Sequence, residues 1–208
     1  MKIISMEQVY YSYRDINKKV LEDVNMAFEE GKMCAIVGNS GEEKSTMLSL
    51  LAGLDVPDRG VIKFRGNDIK DKGYSYHRKK NISLVFQNYN LIDYMTPIEN
   101  LCLVNPEADA DILLKLGLSG EEVGRNVMKL SGGQQRVAIG RALASKAPVI
   151  LADEPTGNLD EKTAEGIIEL LKKLAHEENK CVIVVTHSKQ LADQENCVLK
   201  LQKRRLCS

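Results

Sequence analysis

The chain has 208 residues, with 29 Lys and Arg against 29 Asp and Glu, so it carries no net charge. That balance argues against a surface built to wrap nucleic acid, and none is expected as a partner. A chain of this length buries a substantial core, which favours one domain with room for a subdomain. No apolar stretch approaches the roughly 20 residues of a membrane helix. The N-terminal MKIISMEQVYYSY holds no secretory apolar region, so a cytosolic chain is expected, with membrane contact through a partner.

Along the chain, residues 1–37 read as strands and turns. Val24 to Phe28 alternates, Glu30-Gly31-Lys32 turns, and Met33 to Val37 is a short buried run feeding a loop at Gly38. Lys44 to Gly53 has helical spacing, with Met47, Leu48, Leu50 and Leu51 apolar and Gly53 as C-cap. Turns at Pro57–Gly60 and Arg65–Asp68 bracket a strand, Val61–Phe64, and Ile82–Phe86 is a further strand ending at Gln87. Residues 88–145 are mostly helical in pattern. From Val149 the pattern runs strand (149–153), helix (161–176), strand (Cys181 to Thr186). That alternation predicts a parallel sheet with right-handed crossovers. The five cysteines, Cys34, Cys102, Cys181, Cys197 and Cys207, lack metal-ligand spacing. Cys34 and Cys181 lie in strand-like runs and read as small buried apolar residues, Cys207 as an exposed thiol.

Three segments carry chemistry. Gly38-Asn39-Ser40-Gly41-Glu42-Glu43-Lys44-Ser45-Thr46 follows a strand and opens a helix. In such a loop backbone N–H groups ring a β-phosphate, Lys44 bridges the β- and γ-phosphates, and the Ser45 hydroxyl ligates Mg²⁺. The pattern G-x-x-x-x-G-K-[ST] is broken at Glu43, which stands where its last glycine belongs. A side chain there crowds a close backbone approach. Its carboxylate repels the phosphates by about 1 kcal/mol per pair in water and about 4 kcal/mol at an effective dielectric near 20. Glu42 adds further negative charge. The second segment, Leu130-Ser131-Gly132-Gly133-Gln134, opens a helix with bare N–H groups suited to a phosphate. The third, Val149 to Ala152 followed by Asp153-Glu154, reads as a buried strand delivering two carboxylates at its C-terminal end. Asp153 suits Mg²⁺ binding, directly or through water, and Glu154 suits a general base on the attacking water.

In this order, over nearly the whole chain, the phosphate loop, LSGGQ and DEPTGNLD resemble those of the ATP-binding subunit of an ABC transporter. The resemblance implies an α/β ATPase fold of the P-loop NTPase type: a parallel core sheet, an N-terminal antiparallel β region and an inserted helical subdomain. Core and β region would span 1–87 and 146–208, and the subdomain 88–145. It implies ATP and Mg²⁺ as cofactors, Gln87 as a glutamine that touches metal and water, and Tyr13 as the ring stacking on adenine, with Tyr10 and Tyr11 as neighbours. By the same resemblance His187 holds the γ-phosphate and the base, and Asp160 contacts an opposite subunit. Ser131, Gly132, Gly133 and Gln134 would serve the ATP of a second copy in a head-to-tail dimer.

Such subunits sit on the inner face of the cell membrane against a membrane-embedded permease. DEPTGNLD most resembles the lipoprotein-release, macrolide-export and antimicrobial-peptide branch, which points to extrusion of peptides or lipid-like molecules. Two departures stand out. The helix after Ser-Gly-Gly is one residue shorter than the family habit, which turns following side chains by about 100°. The segment from Gln87 to Leu130 is also trimmed. With Glu43, these make an impaired subunit or scaffold the alternative reading. An ABC-type ATPase acting on DNA would need long coiled-coil arms for which there is no room, and one acting on ribosomes usually carries two such domains.

Overall fold

The computed structural model describes residues 1–13, 18–38, 44–130, 133–157, 159–187, 197–202 and 205–207. The chain opens with two long antiparallel strands, β1 (Lys2–Tyr13) and β2 (Lys18–Glu29). Their register shifts at several points, and Gln8 and Asp23 take φ of 50° and 52°. Such bulges bend and twist a hairpin so that it can curl over a core. β3 (Met33–Val37) and α1 (Lys44–Leu51) follow, and Gly53, at φ 66°, closes the helix in the left-handed conformation. β4 (Arg59–Phe64) pairs with the other edge of β1, and β5 (Asn67–Asp68) joins β4. Gly60 is required where β4 crosses β1: a Cβ there would collide with the Gln8 carbonyl. The first sheet therefore has the order β2-β1-β4-β5.

α2 (Tyr74–Lys80) precedes β6 (Ile82–Val85). His77, buried on α2, donates from Nε2 to the Leu51 carbonyl at 3.0 Å and accepts from Asn81 at 3.1 Å. It thus satisfies a carbonyl left open at the end of α1. Burial lowers its pKa, which favours the neutral ring this bonding needs.

Residues 88–145 form short helices joined by turns: α3 (Pro97–Cys102), α4 (Asp111–Lys115), α5 (Gly120–Val123), a 3₁₀ turn at Val127–Lys129, and α6 (Gln134–Ala144). Helices this short are marginal alone, and two carry reciprocal caps, Thr96 with Glu99 and Ser119 with Glu122. β7 (Val149–Asp153), α7 (Glu161–His176), β8 (Cys181–Thr186), β9 (Val198–Gln202) and β10 (Arg205–Cys207) complete the chain. The strand–helix–strand series from Val149 has the bounds expected from the sequence.

The second sheet has the order β10-β9-β3-β8-β7-β6, parallel except for β10. Its central strands β3, β7 and β8 are buried on both faces, as parallel strands require, and their alternation divides the core. Cys34, Ile36, Val149, Leu151, Ile183 and Val185 point toward α1 and the antiparallel sheet. Ala35, Ile150, Ala152, Val182 and Val184 point toward α6 and α7. α7 supplies Ile167, Ile168, Leu171, Leu174 and Ala175, one apolar stripe at helical spacing. No helix among the described residues is long and apolar enough to cross a membrane.

Cys34 is buried, as expected of a small apolar residue in a strand, but it does more than fill space. It is disulfide-bonded to Cys197 across 163 residues, with Cα atoms 4.7 Å apart. The cause is the parallel pairing of β3 with β9, which sets Cys197 beside Ala35 (N–H to carbonyl 2.9 Å) and which spacing along the chain cannot reveal. Cys181 is free and buried, its thiol pushed up to about 12, and so behaves as the inert apolar residue expected. The Cys207 side chain lies outside the described residues. Replacing both Cys34 and Cys197 with Ala, or adding reductant, should lower stability by about 2–5 kcal/mol, read from urea unfolding midpoints. Identical midpoints with and without reductant would mean that the bond does not form in solution.

Candidate functional site

The parallel strands β3, β8, β7 and β6 all release their chains at one edge of the sheet, where ligands of open α/β folds bind. Register makes the alignment close: Val37 lies beside Thr186, Asp153 beside Val185, and Val85 beside Ala152. The residues just beyond, Gly38, His187, Glu154 and Gln87, are therefore neighbours in space although far apart in sequence. Gln87, Glu154 and His187 line a cleft of about 590 Å³ together with Tyr13, Lys44, Ser45, Thr46, Asp153 and Gly157.

Lys44, the first residue of α1, is buried, and its Nζ donates to the Gly38 carbonyl at 3.0 Å. The side chain thus reaches back to the start of the phosphate-loop segment. The same Nζ lies 3.4 Å from His187 Nε2, and that nitrogen lies 3.4 Å from Glu154 Oε1. A cation, an imidazole and a carboxylate therefore form a chain across three strand ends. Asp153 is the one residue of β7 that is only partly buried, the other four being covered.

Glu154 follows with φ 48°, a left-handed backbone that a non-glycine residue takes only when its surroundings enforce it. Those surroundings are visible. Its N–H donates to the Val185 carbonyl at 2.9 Å, the Thr186 hydroxyl donates to Oε2 at 3.3 Å, and its carbonyl accepts from Gly157 at 3.2 Å. Oε1 makes no hydrogen bond among the described residues, and the side chain is 13% exposed. This buried oxygen beside the cleft, faced by His187 Nε2 at 3.4 Å but not saturated by hydrogen bonds, is suited to accept a proton from a water that enters with the ligand.

Gln87, exposed, hangs into the cleft just past β6. The turn after it has Tyr89 and Asn90 at φ 58° and 48°. Arg141 of α6 holds this turn, donating to the Tyr89 carbonyl at 3.0 Å and the Asn90 carbonyl at 2.5 Å. Of the three neighbouring tyrosines only Tyr13 lines the cleft; its hydroxyl meets Thr46 Oγ1 at 2.5 Å, and its ring meets Tyr11 edge-on at 5.5 Å.

Three predicted site residues are not brought to this cleft. Gly133 caps α6, and Gln134 turns its amide back toward the Val127 carbonyl at 3.4 Å. Asp160 caps α7, accepting from the Thr163 N–H at 3.1 Å, and hydrogen bonds from the Thr163 side chain and then its N–H lower its pKa. Asn39, Ser40, Gly41, Glu42, Glu43, Ser131 and Gly132 lie outside the described residues.

The sequence reading missed Thr186, Gln135 and Arg141. Thr186 and Arg141 leave no local signal, because their partners are remote backbone and side-chain atoms. Gln135 does leave one: it shares a helical face with Ala138, Ile139 and Ala142, all buried, and a polar residue on an apolar stripe asks for a partner.

Known proteins carry the same pattern. Residues 21–157 match the ABC transporter family model. The chain is 41% identical to the ABC transporter ATP-binding protein YclH of Bacillus subtilis, over 98% of this chain and 95% of that one. It is 38% identical to the lipoprotein-releasing system ATP-binding protein LolD of Rickettsia bellii, over 97% and 96%. Among solved structures it superposes on the dimeric ABC transporter cassette MJ0796 of Methanocaldococcus jannaschii with TM-score 0.90 and 34% identity, covering 99% of this chain and 97% of that one. A post-hydrolysis state of that cassette, bound to ADP and Pi, gives TM-score 0.87. Lysine, carboxylate pair and histidine converging at parallel strand ends, with this likeness over nearly the full length, show that the chain belongs to the ABC transporter family as one of its ATP-binding ATPase subunits.

Proposed function

We propose that the chain binds and hydrolyses ATP as half of a sandwich dimer that drives a membrane-embedded permease. The observation that carries this reading is the Lys44–His187–Glu154 chain beside Asp153 and Gln87 in one cleft. Lys44 bridges the β- and γ-phosphates, the N–H groups from Gly38 to Thr46 surround them, and Tyr13 offers its ring to adenine. Glu154 accepts the proton of the attacking water through Oε1, and His187 fixes both that carboxylate and the γ-phosphate.

The Ser45 hydroxyl, Gln87 amide and Asp153 carboxylate in the same cleft are an oxygen-only set with a single carboxylate. That set fits Mg²⁺, which takes few protein ligands when phosphates supply others, and these three residues would hold it. When bound, Mg²⁺ neutralises charge on the phosphate oxygens.

Ser131, Gly132, Gly133 and Gln134 act on the ATP of a second copy, and Asp160 meets that copy. The position of Gly133 and Gln134 away from their own cleft supports this arrangement. The helices of 88–145 form the subdomain on which the permease docks, inserted between the core segments 1–87 and 146–208. Tyr94, Leu103, Val104 and Met128 are large apolar side chains left exposed there, which suits a buried contact. The subunit then sits on the inner face of the cell membrane. Likeness to LolD, together with DEPTGNLD, supports export of lipoprotein, peptide or antimicrobial cargo, chosen by the permease.

If Glu154 is the base, Glu154→Gln in a Glu43→Gly background abolishes steady turnover, retains ATP binding and traps an ATP-bound dimer seen by size-exclusion chromatography. Undiminished hydrolysis would remove Glu154 from this role.

Glu43 generates a second prediction, and it favours the impaired reading of this subunit. Glu43→Gly should tighten ATP binding at least tenfold, about 1.4 kcal/mol, in a calorimetric titration. Equal affinities would mean that the glutamate costs the site nothing.

A further inference from the structure

We propose that Gln135 is a positioning residue for Glu154, tying the first turn of the signature helix to the turn that carries the general base. The proposal rests on the reading of Glu154 as that base.

Glu154 holds a left-handed backbone, and three of the bonds that keep it there come from β8 and from its own turn. The next carbonyl along, that of Pro155, accepts a bond from outside, donated by Gln135 Nε2 of α6. Pro155 is buried and has no N–H of its own, so its carbonyl is the handle by which another element can grip this turn. Gln135 lies two residues past Gly133, the cap of α6, and is 1% exposed. A shift of the helix start is therefore passed directly to the peptide next to Glu154.

Stability alone does not account for a glutamine here. Its Oε1 is buried and makes no hydrogen bond among the described residues, so half of the amide is desolvated without return. A methionine of similar length would fill the same space on the stripe with Ala138, Ile139 and Ala142 without leaving that oxygen unpaired, losing only the donor to the Pro155 carbonyl, which is the tie itself. A residue that fits its helix face poorly yet reaches a functional turn marks a constraint other than packing. That constraint is aim. Glu154 Oε1 must face the attacking water, and a rotation of the 154–155 peptide turns it away. Because α6 begins at the segment that engages a second copy's ATP, closure of the dimer and alignment of the base become one motion, with Gln135 as the link. Arg141, further along the same helix, grips the turn after Gln87, so α6 braces both sides of the cleft.

The test is a two-by-two comparison of Gln135→Met and Glu154→Gln, made in the native and Glu43→Gly backgrounds so that slow native turnover does not hide the effect. Hydrolysis is measured per bound ATP in single turnover, which keeps the rates independent of the folded fraction, and Gln135→Leu serves as a second variant. Losing the tie should slow hydrolysis about 10–100-fold, the cost of a misplacement near 1 Å. ATP affinity should stay within twofold, and the melting temperature should fall by only a few degrees, the effect of one lost buried hydrogen bond. In the Glu154→Gln background the same change should alter the residual rate by less than twofold, because no base is left to misalign. An unchanged rate in the first arm, or equal slowing in both, overturns the proposal. If Glu154→Gln alone leaves hydrolysis intact, that arm overturns the underlying reading of the base, and the positioning role falls with it.

Discussion

Everything in the site depends on the parallel register of β3, β8 and β7. The pairing of Val37 with Thr186 and Asp153 with Val185 fixes where three chains leave the sheet. A slip of one residue would turn every strand side chain to the opposite core. The core prevents that slip, because each face of β7 and β8 is committed: Leu151 and Ile183 to one cluster, Ile150 and Val182 to the other. Packing of aliphatic side chains thus sets the 3.4 Å spacings from Lys44 to His187 and from His187 to Glu154, although no apolar group takes part in the chemistry.

α6 is the second organising element. Its apolar stripe docks on the sheet through the cluster that holds Val137, Ala138 and Ala142, and its polar groups reach the turns on both sides of the cleft. The helix lies where the signature segment ends and the strand-end chemistry begins. That position explains why its residues contact backbone carbonyls of functional turns rather than the cleft itself. One edge of the sheet gathers Lys44, Asp153, Glu154 and His187, and among the described residues of the signature Gly133 and Gln134 do not line that cleft.

Much of this was legible in the sequence because the signals are local. Val149–Asp153 and Cys181–Thr186 are short continuous apolar runs, the α7 stripe has helical period, and the phosphate loop and Asp-Glu pair are contiguous. What stayed hidden was held by distant partners. α2 has no apolar periodicity in YSYHRKK and folds because His77 finds the Leu51 carbonyl. β9 and β10 follow no motif, and the pairing of β9 with β3 brings Cys197 to Cys34. Gln135 looked like one of two tandem glutamines. Only the fold separates them, turning Gln134 toward the Val127 carbonyl and Gln135 into the core against Pro155. The left-handed backbone of Glu154 is likewise absent from the sequence, since glutamate carries no preference for it.

In the proposed dimer each chain holds only half of each ATP site. The direct measurement is ATPase activity on mixing two inactive variants in a Glu43→Gly background, Lys44→Ala and Ser131→Arg, with heterodimer formation verified. A mixed dimer has one site with both defects and one with neither, so the mixture should regain part of the activity that each variant alone lacks. If verified heterodimers stay as inactive as the separate variants, Ser131 serves the ATP of its own chain and the half-site account is wrong.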